Sequence, residues 1–278
     1  MNRRQFLTRT GLSAGVVAAG AAYWKIELHN LEVVELILPI VGLPMSLDGK
    51  RLVQLSDLHV GDEVDPEYVR RSFRLASSLK PDIVAFTGDF ITWRGGEQIN
   101  QLEYVLQDMP RGVIATVGIL GNHDYGSDWH QPEVAQSVID HVSRHGVQFM
   151  RNSVQVIEGL SIIGLDDLWA GATNIGAARA LVKSNDPSLV LCHNPDVADF
   201  PQWQGYRGWM LSGHTHGGQC KFPFLPPPVL PVRNKRYAAG QVELAGGRTV
   251  YINRGIGHTL PIRVNVRPEI SSFRLVRA

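Results

Sequence analysis

Only two cysteines, Cys192 and Cys220, occur in 278 residues. Their spacing fits no zinc-knuckle pattern, and although each lies beside candidate ligands, they are read as two free thiols or as one disulfide in an oxidising compartment. A dominant charge is also missing, since 27 Lys and Arg face 26 Asp and Glu for a net +1. The three arginines among the first ten residues supply more than that excess. The remainder is slightly acidic, and nothing here suggests a nucleic-acid groove. No apolar run reaches the roughly 20 residues of an ordinary spanning helix, and no internal repeat or low-complexity segment occurs. What is present is ordinary for a globular chain: 44% hydrophobic and 19% charged residues, in a length that suits one large domain or two small ones.

The first 24 residues stand apart from the rest. Asn2-Arg3-Arg4-Gln5-Phe6-Leu7 resembles a twin-arginine export signal, with Asn2 where Ser or Thr is usual, and Gly11 to Trp24 form a weakly apolar stretch rich in Ala and Gly. Ala19-Gly20-Ala21 is an acceptable cleavage site, and an uncleaved anchor is the alternative. The expectation is a signal or membrane anchor over 1–24 and one domain over 25–278. Export of this kind implies the twin-arginine machinery as a partner. It places the protein in the periplasm or on the outer face of the cytoplasmic membrane.

Along the chain, Leu31 to Pro39 alternates like an edge strand, and Arg51 to Ser56 is a strand that runs into Asp57-Leu58-His59. Residues i and i+2 of an extended chain share a face, so Asp57 and His59 can grip one cation together. Val69, Phe73, Ala76 and Leu79 mark a helical stripe after Pro66, and Ile83 to Thr87 is a buried strand closing in Gly88-Asp89. A right-handed parallel crossover then sets Asp57 and Asp89 on neighbouring strand ends. A second helix is expected from Glu97 to Met109, a buried strand over Gly112 to Ile119, and a third helix from Pro132 to His145. His141 and His145 are spaced to chelate zinc, but with no third partner nearby they read as a solvated face.

After Gly146 the texture turns to short strands at 147–150, 154–157 and 160–164, a polar loop through Asp166, Asp167 and Trp169, a helix near 177–183, and strands at 188–192 and 209–212. More strands follow from Gln241, broken by Asn253-Arg254-Gly255-Ile256-Gly257-His258.

Five strand ends therefore carry, in order, Asp57 with His59, Asp89, Asn122 with His123, His193, and His214 with His216. Any one of these is a common turn. All five in this order, each after an apolar strand and with glycine at Gly88, Gly121 and Gly213 permitting close approach, supply the oxygen and imidazole ligands that hold two divalent ions about 3.5–4 Å apart.

At this point the chain resembles the calcineurin-like metallophosphoesterases, whose pattern is Asp-x-His, Gly-Asp, Gly-Asn-His-Asp/Glu, a lone His, and Gly-His-x-His. The resemblance covers about residues 50 to 265. Ser212 to Gln219, Pro261-Ile262-Arg263 and Arg267-Pro268-Glu269 bring it nearer to an exported bacterial branch, similar to phosphodiesterases and UDP-2,3-diacylglucosamine pyrophosphatases. The resemblance implies an α/β fold, a four-layer αββα sandwich of two mixed sheets flanked by helices. It implies two divalent ions (Mn, Fe or Zn), with Asp57, His59 and His216 on one and Asn122, His193 and His214 on the other. Asp89 and a hydroxide would bridge them. His123, not a ligand, would donate a proton to the leaving oxygen or stabilise the phosphorane-like charge, and Asp124 would orient it. The activity implied is hydrolysis of a phosphodiester or pyrophosphate, with a lipid-linked substrate as one form of it. Hydrolysis of small soluble phosphomonoesters and a non-catalytic metal-binding scaffold are the alternatives.

Three features outside the pattern stay open. Arg94 reads as a phosphate contact or a solvated loop arginine, and His258 sits in a glycine-rich turn that can face the cleft. Phe222 to Val232, followed by Arg233, Lys235 and Arg236, is apolar and then basic. It reads as a packed polyproline-like loop or as a lip against lipid head groups.

Overall fold

A computed structural model describes residues 15, 27–183, 185–221 and 224–278. The expected signal at 1–24 lies outside the described residues apart from Gly15. Among the described residues twelve strands form two six-stranded sheets. The first has the order β1 (Glu32–Ile40), β12 (Glu269–Arg277), β2 (Arg51–Leu55), β3 (Ile83–Thr87), β4 (Ala115–Ile119), β5 (Gln148–Phe149). The second runs β10 (Gly240–Leu244), β11 (Arg248–Ile252), β9 (Gly208–Ser212), β8 (Ser188–Leu191), β7 (Leu160–Gly164), β6 (Ser153–Ile157). Both sheets are mixed: β2, β3, β4 and β5 run parallel, as do β7, β8, β9 and β11, while β12 is antiparallel to β2 and the hairpins β6–β7 and β10–β11 close the other edges.

The inner strands are apolar because both their faces are covered. Leu52, Ile83, Ala85 and Val117 point between the sheets and meet Leu160, Ile162, Leu189, Leu191 and Leu211. Val53, Leu55, Val84 and Phe86 point the other way and pack on α1 (Pro66–Ser78), α2 (Glu97–Leu106) and α3 (Pro132–Arg144). On the far side Ile163, Val190, Met210 and Val250 are covered by α4 (Ile175–Ala180) and by loops that include Trp203, Leu230, Val232 and Tyr237. The layers are therefore helix, sheet, sheet, helix and loop, as expected.

Helix α1 shows how local sequence sets these pieces. Pro66 supplies a helical φ without wasting a donor, and the Asp65 side chain accepts the backbone N–H of Glu67 at 3.0 Å. The helix then buries Val69, Phe73 and Ala76 against the first sheet. A fully buried phenylalanine of this kind is worth about 3–5 kcal/mol against alanine.

Several bounds move from their expected places. Strand β4 starts at Ala115 rather than Gly112, since Gly112 donates to the Thr116 hydroxyl and Val113 is left exposed in the turn. Strand β5 keeps only two residues. Helix α4 starts at Ile175 because the Asn174 side chain accepts the N–H of Ala177 and caps it there. His145 pairs with Glu103 and His141 Nδ1 lies 2.8 Å from the Ser137 carbonyl, so neither serves a metal group among the described residues. Both cysteines are free thiols, with Cys192 buried and its Sγ 3.1 Å from the Ser212 hydroxyl.

Candidate metal centre

The carboxyl ends of β2, β3, β4, β8 and β9 meet along one edge of the sandwich, and each delivers its polar residues there by an abrupt turn. Asp57, His59, Asp89, His214 and His216 have φ of 53°, 49°, 56°, 71° and 50°. Non-glycine residues with left-handed backbone are uncommon, and their gathering at one place marks a functional turn. Glycine is required beside them. A Cβ on Gly213 would run into the Ser56 hydroxyl and the Asp57 carboxylate, and one on Gly121 into Asp89.

Three groups of potential ligand atoms result, each within 4.8 Å: Asp57, His59 and His216; His59, Asp89 and His123; Asp89, His193 and His214. They share members, so they form one cluster. Asp89 Oδ2 stands between its two ends, 3.5 Å from His59 Nε2 and 3.1 Å from His193 Nε2. At one end His59 Nε2 and His216 Nε2 are 2.9 Å apart, and at the other His193 Nε2 and His214 Nδ1 are 3.2 Å apart.

The electrostatics follow from placing acids and bases together without water. Burial pushes the Asp57 and Asp89 carboxyls upward, but the charges of His216 on Asp57 and of His193 and His123 on Asp89 outweigh it, and both end below the ordinary carboxylate range. Burial holds His59 well below its ordinary value and brings His214 to about 3, so both rings are neutral and present lone pairs.

These residues fit divalent cations. Asn122 Oδ1 is buried with no hydrogen-bond partner among the described residues, an acceptor that requires a donor or a cation. The outward nitrogens of three rings are tied to oxygen: His59 Nδ1 to Thr92 Oγ1 at 2.8 Å, His193 Nδ1 to the Thr87 carbonyl at 2.7 Å, and His214 Nε2 to the Pro231 carbonyl at 2.9 Å. A ring that donates outward to a carbonyl turns its bare nitrogen inward, the arrangement of metal-binding histidines. The fourth ring, His216, has its Nδ1 3.3 Å from Nη2 of Arg263, a fully buried arginine that donates mainly to the carbonyls of Arg254, Gly255 and Gly257.

Asp124 does something other than expected. Its Oδ1 accepts the backbone N–H of Phe90 and Ile91, and its Oδ2 those of Asp89 and Gly121. With both oxygens taken by amides, the carboxylate buckles the β3 and β4 loops together and does not orient the His123 ring. His123 itself donates its backbone N–H to Asp89 Oδ1 at 2.9 Å, and it is the least buried residue of the cluster.

Arg94 stays on the rim, its guanidinium half exposed and 3.5 Å from Glu63. His258 is buried, with Nε2 3.0 Å from the Glu63 carbonyl and Nδ1 without a partner among the described residues. Neither joins the cluster. Thr92, Pro231 and Arg263 support the histidines, and sequence reasoning passed over that role. A threonine hydroxyl and two backbone-directed groups leave no spacing to read, although Arg263 falls in a motif already noted.

Two mixed sheets flanked by helices, with Asp and His gathered where parallel strands end, define a metal-dependent phosphoester hydrolase. The profile of the calcineurin-like phosphoesterases matches residues 50–218, and the chain belongs to that family. It is 32% identical to the uncharacterized metallophosphoesterase YkuE of Bacillus subtilis (strain 168), over 99% of this chain and 98% of that one. It is 30% identical to the phosphodiesterase YaeI of Escherichia coli (strain K12), over 81% and 82% of the two chains. The UDP-2,3-diacylglucosamine pyrophosphatase LpxG of Chlamydia muridarum is 29% identical over 97% and 98%.

Proposed function

We propose that this protein is an exported two-metal phosphoesterase that cleaves a phosphodiester or pyrophosphate bond, with a lipid-linked substrate as its physiological form. The observation that carries the reading is the cluster with two ends: paired imidazole nitrogens at each, Asp89 Oδ2 between them, and the unpartnered Asn122 oxygen. Asp57, His59 and His216 would hold one cation, Asn122, His193 and His214 the other, and Asp89 both. Mn, Fe and Zn all suit such a mixed N/O shell. The cations supply charge that polarises the phosphoryl oxygens and lowers the pKa of water.

The chain's own part is to orient and to move a proton. Thr92, Thr87 and Pro231 fix the imidazoles, and Asp124 fixes the loop that carries His123. The His123 ring, packed edge-on against His59 at 4.9 Å, stands beside the reacting atoms as the donor to the leaving oxygen. Arg94, half exposed on the rim, would touch a substrate's outer phosphate, whereas His258 is buried against the Glu63 carbonyl and offers it no open contact.

Residues 1–24 would act as a twin-arginine signal, cleaved or kept as an anchor, leaving the enzyme in the periplasm or on the membrane's outer face. Among the described residues no helix is long and apolar enough to cross a membrane. The resemblance to YaeI and LpxG supports diester or pyrophosphate chemistry. The test is turnover by purified, Mn-loaded protein of an aryl phosphodiester, an aryl phosphomonoester and a nucleotide-lipid pyrophosphate. Diester and pyrophosphate should be cleaved faster. Preference for the monoester would replace this reading with a soluble phosphomonoesterase.

A further inference from the structure

Six aromatic contacts run round the cluster in an arc. His216 meets His59 at a centroid distance of 4.8 Å, His59 meets His123 at 4.9 Å, and His123 meets Trp129 at 5.7 Å. Trp129 then stacks on Trp169 at 5.3 Å and 26°, Trp169 stands edge-on to His214 at 4.4 Å, and His214 meets His193 at 5.0 Å. Five of the seven rings are imidazoles with chemical work to do. The two tryptophans have no ligand atom, yet they close the arc, and they come from opposite sheets: Trp129 follows β4 and Trp169 follows β7.

Trp129 is held there at a cost, and Trp169 by hydrogen bonds of its loop. Trp129 has φ of 58°, an outlier for a bulky residue. Its loop is pinned by the Gln131 side chain, which accepts the N–H of Ser127 at 3.1 Å. Trp169 sits on a loop wound about the buried Asp167, whose Oδ1 accepts the N–H of Trp169 at 2.7 Å and of Ala170 at 2.8 Å. Despite this anchoring Trp169 remains 39% exposed. Two stacked apolar rings, one on a strained backbone and the other fixed by a buried carboxylate yet left open to water, are arranged for contact with something that arrives.

We infer that the Trp129–Trp169 pair is a substrate subsite: the wall on which the ester's organic part packs a flat ring, an aryl group or a nucleobase, while the phosphoryl group lies among the histidines. The inference rests on the phosphoesterase reading, since the histidines would bind the phosphoryl end. Stacking on an aromatic side chain is sequence-tolerant and worth about tenfold or more in affinity per ring. The pair therefore selects for a flat substituent, whatever else the molecule carries.

The experiment is calorimetric binding of phenylphosphonate and methylphosphonate to the full chain loaded with Mn²⁺. Wild type should prefer the phenyl compound by about tenfold or more. Trp169→Leu and Trp129→Leu should each cut that preference towards unity, and Trp169→Phe, which keeps a flat face, should retain most of it. A preference unchanged in both leucine variants would overturn the subsite, and so would equal loss of both phosphonates, which would mean that the pair only props His123 and His214. If wild type binds methylphosphonate with no gain for phenyl, the subsite fails while the phosphoesterase reading stands. If it binds neither, both fail together.

Discussion

His59 and His216 face each other across 2.9 Å through their Nε2 atoms, with Asp57 Oδ1 3.2 Å from the latter. Two imidazole lone pairs at that distance repel unless a proton or a cation lies between them. A cation that binds only the folded state stabilises it, by about 2.7 kcal/mol at a hundredfold excess over Kd. At about 2–4 °C per kcal/mol for a chain of this size, Mn²⁺ should raise the melting temperature by several degrees. Excess EDTA should reverse the shift. A melting curve indifferent to both would show that the cluster holds no ion.

Asp89 Oδ2 lies within reach of imidazole nitrogens at both ends of the cluster, so Asp89→Asn should abolish turnover and lower bound metal from two ions towards one. Elemental analysis of the purified variant measures this directly. Two ions retained in full would remove Asp89 from its bridging place.

His123 and Asp124 are neighbours with separable roles. His123→Ala should keep both ions and lose about 10²–10⁴-fold in rate, with less loss for esters whose leaving groups need no proton. Asp124→Ala strips four backbone amides of their acceptor, each a buried donor worth about 1–3 kcal/mol when left unpaired. It should therefore lower the melting temperature and reduce turnover equally for good and poor leaving groups. If Asp124→Ala instead shows the leaving-group dependence of His123→Ala, the carboxylate acts through that ring after all.

The division between what could be read from the sequence and what could not has a physical basis. Strands β2, β3, β4, β8 and β9 are legible because a parallel strand covered on both faces must be a continuous apolar run, and each run ends in Asp, Asn or His, with glycine just before it in β3, β4 and β9. Their order along the chain then names the cluster. What escapes is interaction through the backbone. Sequence adjacency pairs Asp124 with His123, whereas its partners are amides of residues 89 to 91 and 121. The Pro231 carbonyl that turns His214 has no side-chain signature at all. The pairing of Trp129 with Trp169 joins loops from two sheets, and no local pattern announces it. Strand β5, with two residues, is too short for periodicity to show.

Export should depend on the arginine pair near the start of the chain. Arg3→Lys with Arg4→Lys keeps the charge and changes only the geometry of the donors, so a receptor that reads guanidinium would fail to recognise it. Cell fractionation should then find the protein in the cytoplasm. Unchanged export would mean a different route.

The apolar segment after Lys221 divides into two parts, and the division sharpens the test of a membrane-facing lip. Leu230 and Val232 are buried in the outer core, Pro231 holds His214, and Lys235 spends its ammonium on the carbonyls of Leu230 and Val232. That half is packing. Phe222 and Pro223 lie outside the described residues, but Phe224, Leu225 and Val229 are exposed, with basic Lys221 and Arg233 exposed on either side. Transfer of those three side chains from water to lipid is favoured by about 25 cal/mol per Å², and each basic residue near anionic lipid adds about 1 kcal/mol. Replacing Phe224, Leu225 and Val229 with Ser, in protein lacking residues 1–24, should reduce sedimentation with anionic liposomes and turnover of a lipid-linked pyrophosphate. Turnover of a soluble aryl diester should persist, because the half of the segment that holds His214 is untouched. Loss of both activities would mean that the exposed half also supports the metal centre, and no change in liposome binding would mean that the lip meets no membrane.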